Sequence, residues 1–263
     1  MTNQSTSLTK AYLRRVVDMV LKLQGTSLPS HFNLNHRLSY LLSGLEPSVV
    51  RVSADILRPG DIAVDIGANV GFLTRQFARM VGRKGRVFSF EPDPDVFEHL
   101  QFNTQRFAQV SLAQTAMSDS CGTSTLYLHP MSAMSNSLVN VWEDARPLTV
   151  HTLTFDAWVT DANPGKLRLI KIDVEGAEPL VLRGMRMTLA SPQKPHVILE
   201  FCPKNLRGRE AEEEIFGILS GNGYKVQCID SRGGLRRVQC PSDVYASLNQ
   251  DGYVNLLARV VGS

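Results

Sequence analysis

The stretch VDIGANVGFLTR, residues 64–75, decides the fold. The run IAVDI leads into it, and Val70, Leu73, Phe77, Met80 and Val81 recur along it and beyond it at helical spacing. A short apolar strand turning through two glycines into an amphipathic helix is the opening unit of a parallel α/β sheet. Ligands of such sheets sit beyond the carboxyl ends of the strands, where the strand order reverses. Gly67 and Gly71 permit backbone angles closed to other residues and leave no Cβ in a ligand's way. The helix that follows directs free N–H groups at whatever binds there.

Outward from this turn the same unit recurs. RVFSFEP reads as a second strand, Asp93-Pro94 as a helix cap and first helical position, and QVSLAQTAM as a third strand. LRLIKID leads into AEPLVLRGM, HVILEF leads into a helix carrying Ile215, Phe216, Ile218 and Leu219, and YKVQCID and YVNLLARVV close the chain as strands. This alternation predicts a doubly wound, mostly parallel, Rossmann-like α/β sheet. Residues 119–158 break the rhythm with STLYLH, MSAMSNS and LTVHTLTF, and read as an insertion carrying one or two β elements. Two helical patterns, from Leu8 to Leu23 and in SVVRVSADIL, precede the first strand. The chain thus divides into a helical extension, 1–58, and one α/β domain, 59–263, with the insertion after its third strand. The first helix is read as packed on the domain or on a second subunit, a candidate route to a homo-oligomer.

Bulk properties narrow the class. A chain of 263 residues with a formal charge of +3 lacks the strong basic footprint of a nucleic-acid binder. Its arginines cluster only briefly, as at Arg207/Arg209 and Arg232/Arg236/Arg237, without interleaved aromatics. Cys121, Cys202, Cys228 and Cys240 form no C-x-x-C, so neither a disulfide framework nor a zinc site follows. No apolar run approaches the ~20 residues of a membrane span, and no secretory leader is evident at the N-terminus. The expected location is the cytoplasm.

Charge then selects the ligand. A dinucleotide fingerprint is G-x-G-x-x-G, but here the spacing is G-A-N-V-G, and Asp65 stands before the first glycine. A carboxylate at that point repels a pyrophosphate and suits a ligand bearing an ammonium group. S-adenosylmethionine carries one, together with a carboxylate that the turn's amides can hold, and has no phosphate for a helix dipole to attract. Glu91, ending the second strand, suits a ribose diol. That feature alone fits a nicotinamide nucleotide equally well. An NAD(P)-dependent oxidoreductase, or a nucleoside-binding module without catalysis, therefore stand as rivals.

A second group of acids follows the fourth core strand in KIDVEGAE: Asp173, Glu175 and Glu178. The strand end at the central crevice is where the transferable methyl is expected, so Asp173 is the first candidate to face cofactor and acceptor. Methyl transfer is an in-line displacement that needs the acceptor hydroxyl aligned and its proton removed. Asp173 leads as the catalytic group, with Glu175 beside it; alternatively Glu175 or Glu178 caps the next helix. Glu200 ends the neighbouring strand, so Asp173 and Glu200 form a tentative Mg2+ pair of oxygen ligands. His151 and His129 are candidate bases because histidine titrates near neutral pH, and His31 and His36 are candidates for lining an acceptor pocket.

At this point the chain resembles the FkbM-type methyltransferases, within the class I S-adenosylmethionine-dependent fold. The resemblance is carried in order by LEP (45–47), PGDIAVDIGANVGFLT (59–74), FEPDP (90–94), AMSD (116–119), NSL (136–138), LTFD (153–156) and LIKIDVEGAEPLVLRG (169–184). It implies a seven-stranded sheet in the order 3-2-1-4-5-7-6 with the last strand antiparallel. It further implies Asp65, Gly67, Asn69 and Gly71 around the methionine moiety, Glu91 on the ribose, and Met117 and Ser118 near the adenine. Glu46 matches a glutamate that precedes the core motif in that family. The implied activity is O-methylation of a small-molecule hydroxyl, on a sugar, a glycan unit or a polyketide-type natural product.

Overall fold

The computed structural model describes residues 2–30, 32–42, 46–130, 135–206 and 208–260. Three helices come first: α1 (Thr2–Leu23), α2 (Leu34–Leu42) and α3 (Pro47–Ile56). The alternation then begins with β1 (Ile62–Ile66), α4 (Phe72–Val81), β2 (Arg86–Phe90), α5 (Pro94–Thr104) and β3 (Val110–Ala113). β4 (Ala116–Ser118), β5 (Gly122–Leu128) and β6 (Arg146–Thr154) follow, then α6 (Phe155–Ala162) and β7 (Leu167–Ile172). The chain ends with α7 (Glu178–Arg183), α8 (Arg186–Ala190), β8 (His196–Phe201), α9 (Arg209–Gly221), β9 (Tyr224–Ile229), β10 (Leu235–Val238), α10 (Pro241–Val244) and β11 (Val254–Val260).

The main sheet runs β10-β9-β11-β8-β7-β1-β2-β3. Seven of these strands take the order expected from the sequence, with β11 antiparallel to both neighbours. The count is eight, not seven: the arginine-bearing segment Leu235–Val238 adds an antiparallel edge strand on β9. The segment expected as one third strand is two. It pairs with β2 through Ala113, then leaves the sheet, and Ala116–Ser118 join β6 in a separate three-stranded sheet, β4-β6-β5.

Local chemistry sets these elements. Asp93 caps α5 by accepting from the Asp95 amide at 3.0 Å, with Pro94 at the first helical position. α4 buries Leu73, Phe77, Ala78 and Val81 on the sheet. Both faces of the sheet are covered. One packs Val64, Phe90, Ile170 and Leu199 under α7 and α9, the other Ala63, Val87, Leu169 and Ile198 under α3 and α4. β7 and β8 are therefore buried almost throughout, as central strands covered on both faces are. The strand order reverses between β1 and β7, so a ligand crevice opens there.

Candidate active site

Two-residue alternation along the strands builds the site. On the face under α3 and α4, Ala63, Val87, Leu169, Ile198 and Leu257 share one apolar cluster. Toward the carboxyl ends that same face turns polar: Asp65 on β1, Ser89 and then Glu91 from β2, Lys171 and then Asp173 from β7, and Glu200 on β8. Asp65 lies in register with Ser89 on one side and Lys171 on the other, and Asn255 of β11 faces Glu200. A cavity of about 430 Å³ opens over these strand ends.

Over β1 and β2 the cavity is bordered by Asp65, Asn69, Glu91 and Met117. Asp65 is 1% exposed and accepts from the Thr74 hydroxyl at 2.6 Å. Burial raises its pKa to about 6, partly offset by that hydrogen bond. Glu91 accepts from the Asn69 and Asp93 amides at 2.9 and 3.0 Å. Burial outweighs both bonds and raises its carboxyl to about 8. Each oxygen keeps a lone pair, enough to receive a pair of hydroxyls.

The glycine turn differs from expectation in an instructive way. The amides of Gly67 and Ala68 donate to the Phe90 carbonyl, Asn69 to Glu91, Val70 to the Asn69 side chain, and Gly71 to the Ala68 carbonyl. The turn's own N–H groups are thus spent on its shape. The amides that helix geometry leaves without an intrahelical partner belong to the first turn of α4, where Phe72 and Leu73 border the cavity. Gly67 is glycine chiefly for packing: a Cβ there would stand 1.7 Å from the Asp173 carbonyl oxygen, at φ +79°. The glycine lets the ends of β1 and β7 touch.

Over β7 and β8 lie Glu46, Asp173, Glu175 and Glu200. Glu46, the left-handed residue before α3, accepts from Asn255 at 2.9 Å. Lys171, fully buried beneath the floor, donates to Asp173 at 3.0 Å and stands 3.9 Å from Glu46. Burial lowers its pKa, but Asp173, Glu46 and Glu200 outweigh that and push it up, so the ammonium stays charged. Glu175 takes a left-handed φ of 56° and accepts from Asn205 at 2.7 Å. Burial together with the neighbouring Asp173 holds the carboxyls of Glu175 and Glu200 well above the ordinary range, and burial raises that of Glu46.

Several expected residues lie elsewhere. Glu178 is buried outside the cavity and accepts from the Val174 and Gly176 amides, so it shapes the loop, and burial raises it to about 7. Ser118 also misses the cavity: its carbonyl oxygen packs 2.0 Å from where a Cβ on Gly184 would stand, and Thr115, Ala116 and Met117 border the space instead. His151 is exposed on β6, because strand alternation turns its neighbours Val150 and Thr152 inward and His151 out. His129 packs edge-on against Trp142 at 4.5 Å, and only Trp142 reaches the cavity. His31 and the side chain of His36 lie outside the described residues.

Lys171, Asn255, Tyr253 and Trp142 were not singled out from the sequence. The signal for Lys171 was present: it shares strand parity with Asp173. The insertion joins the site through Asn136, which donates to Asp93 at 2.7 Å, and Ser137, which donates to the Val174 carbonyl at 3.3 Å.

A seven-strand core in this order, with an acid before the glycine turn and another just after β2, defines the class I methyltransferase fold. The model of the methyltransferase FkbM domain matches residues 65–226, more than half of the chain. The chain belongs to the FkbM methyltransferase family. It is similar to the hexuronic acid methyltransferase AglP of Haloferax volcanii, 31% identical over 147 residues, which span 56% of this chain and 59% of that relative. It is also similar to the 2-O-methyltransferase NoeI of Sinorhizobium fredii, 28% identical over 180 residues, covering 60% of this chain and 73% of the relative. Among solved structures, the SAM-dependent O-methyltransferase of Thermotoga maritima superposes with a TM-score of 0.47 at 12% identity, covering 94% of this chain and 72% of that one.

Proposed function

We propose that this protein transfers the methyl group of S-adenosylmethionine to a hydroxyl oxygen of a sugar or similarly hydroxylated small molecule. The observation that carries the proposal is the two-sided cavity. Buried Asp65 and Glu91 stand over β1 and β2, while Asp173, Glu175 and Glu200 stand over β7 and β8. On this reading Asp65 faces the ammonium of the methionine moiety, the first-turn amides of α4 face its carboxylate, Glu91 takes the ribose hydroxyls, and Met117 packs on the adenine. Gly67, Asn69 and Gly71 shape the turn that holds the first two groups. The sulfonium methyl then points at the second set of acids, which orient the acceptor and disperse its proton.

The names of the two relatives, a hexuronic acid methyltransferase and a 2-O-methyltransferase, support a hydroxylated, sugar-like acceptor. Among the described residues no helix is long and apolar enough to cross a membrane. All four cysteines are free, and Cys121 and Cys240 are exposed, which suits the reducing cytoplasm.

S-adenosylhomocysteine is expected to raise the melting temperature of the wild-type protein and to leave that of Asp65→Ala unmoved. A wild-type melting curve that ignores it removes the proposal. With tritiated S-adenosylmethionine and a panel of neutral and uronic methyl glycosides, label is expected in the glycoside fraction; binding without transfer to any of them overturns the acceptor class alone.

A further inference from the structure

Three acids that meet at this floor, Glu46, Asp173 and Glu200, each bring a carboxylate oxygen within 4.8 Å of the others, a spacing that invites a divalent cation. The donor set does not fit one. Lys171 already supplies a positive charge from below, 3.0 Å from Asp173 Oδ2 and 3.9 Å from Glu46 Oε1. A magnesium ion at its usual ~2.1 Å from that same Asp173 oxygen would stand within about 5 Å of the ammonium, adding two positive charges beside one that is already buried there. Glu46 is further committed to Asn255 at 2.9 Å. Two of the three acids thus already have cationic or polar partners belonging to the protein.

Glu200 is the exception. Of the carboxylates bordering the cavity, Asp251 on the exposed rim aside, every other one accepts a hydrogen bond. Asp65 accepts from Thr74, Glu91 from two amides, Glu46 from Asn255, Asp173 from Lys171 and Glu175 from Asn205. Glu200 is 8% exposed, and no described residue hydrogen-bonds its carboxylate. A carboxylate that borders the cavity with no donor from the protein is open to one from a ligand. An acceptor hydroxyl is such a donor, and it loses its proton in the reaction.

We infer that Glu200 is the general base of the methyl transfer, and that the buried Lys171 ammonium, in place of a divalent metal, supplies the fixed positive charge of the acceptor side. The inference rests on the methyl-transfer reading of the cavity. In the step, the acceptor oxygen forms its bond to the methyl carbon as the carbon–sulfur bond breaks. The electron pair of that bond stays on sulfur, giving the neutral thioether, and the hydroxyl proton passes to the Glu200 carboxylate. Lys171 is a positioning residue: it holds Asp173 and Glu46 at the floor and leaves Glu200 as the acid open to the substrate.

Two measurements test this. Titration of the wild-type protein with Mn2+, followed by electron paramagnetic resonance, is expected to leave the free-ion signal undiminished. Signal loss that Asp173→Asn abolishes would overturn the metal-free assignment. This needs neither acceptor nor turnover, so it stays readable if the acceptor class is wrong. On the glycoside that turns over best, E200Q is expected to lower kcat by about a hundredfold or more, with acceptor KM nearly unchanged. The S-adenosylhomocysteine melting shift, retained in E200Q, reports that the variant is folded and binds cofactor. A folded E200Q with near wild-type kcat sinks the assignment of the base.

Discussion

The two sides of the cavity are built in opposite ways. Over β1 and β2, residues 67–71 spend their amides on partners in the same strand–turn–helix unit or the next, and only Asp65 and Glu91 offer charge. Over β7 and β8, polar groups arrive from five separate places: Glu46 before α3, Lys171 on β7, Asp173 and Glu175 in the loop after it, Glu200 on β8, and Asn255 on β11. The bond joining Glu46 to Asn255 spans 209 positions of sequence. One side is a backbone shape that tolerates few residue types; the other is a side-chain network that tolerates few losses of charge. Substitutions should separate the two by the kind of damage they do.

Gly67→Ala strikes the backbone side hardest. The added methyl meets the Asp173 carbonyl oxygen at 1.7 Å, in a left-handed conformation, and neither backbone can yield. A stability loss above ~4 kcal/mol is expected by urea denaturation; a small loss would mean that the two strand ends can part. Lys171→Met probes the network. It leaves Asp173 and Glu46 facing each other without their buried cation, at an expected cost of about 3–5 kcal/mol.

A subtler distinction lies in pH. Glu91 folds with its pKa raised by burial from 4.5 to about 8, so the native cofactor-free protein holds a proton that the unfolded chain releases. Its contribution to stability is complete below pH 4.5 and is lost as pH rises toward 8. Melting temperatures of the cofactor-free protein should fall by a few degrees across that window, and Glu91→Gln should flatten the slope even though it lowers stability at every pH. The smallest effect belongs to His151→Ala, outside both regions. Its stability should stay within ~0.5 kcal/mol of wild type, and turnover should be unchanged.

This difference in construction also explains what could be read from the chain. The β1 turn, the Asp93-Pro94 cap and the acid just after β2 are local patterns, and local patterns survive in one dimension. Lys171 was legible in principle, since Leu169, Lys171 and Asp173 alternate onto one face, but a lysine in an apolar strand suggests an edge until its partners are known. One of those partners, Glu46, lies far earlier in the chain and is itself held by Asn255 from the far end, and the three share no periodicity. His151 misled because a titratable residue near a motif attracts attention, whereas the inward Val150 and Thr152 on either side of it already turn it to solvent. Ser118 lies outside the cavity because its backbone packs against Gly184, a contact across the chain that no residue pattern announces.

The main sheet begins and ends on its shortest members. β3 and β10 have four residues each, and β10 carries exposed Arg236 and Arg237 side by side. A brief rim offers a foreign strand few main-chain bonds, and a rim with paired positive charge repels a second copy of itself. The long, oily strands are kept inside, so the molecule carries a wide sheet without presenting a template for fibre growth.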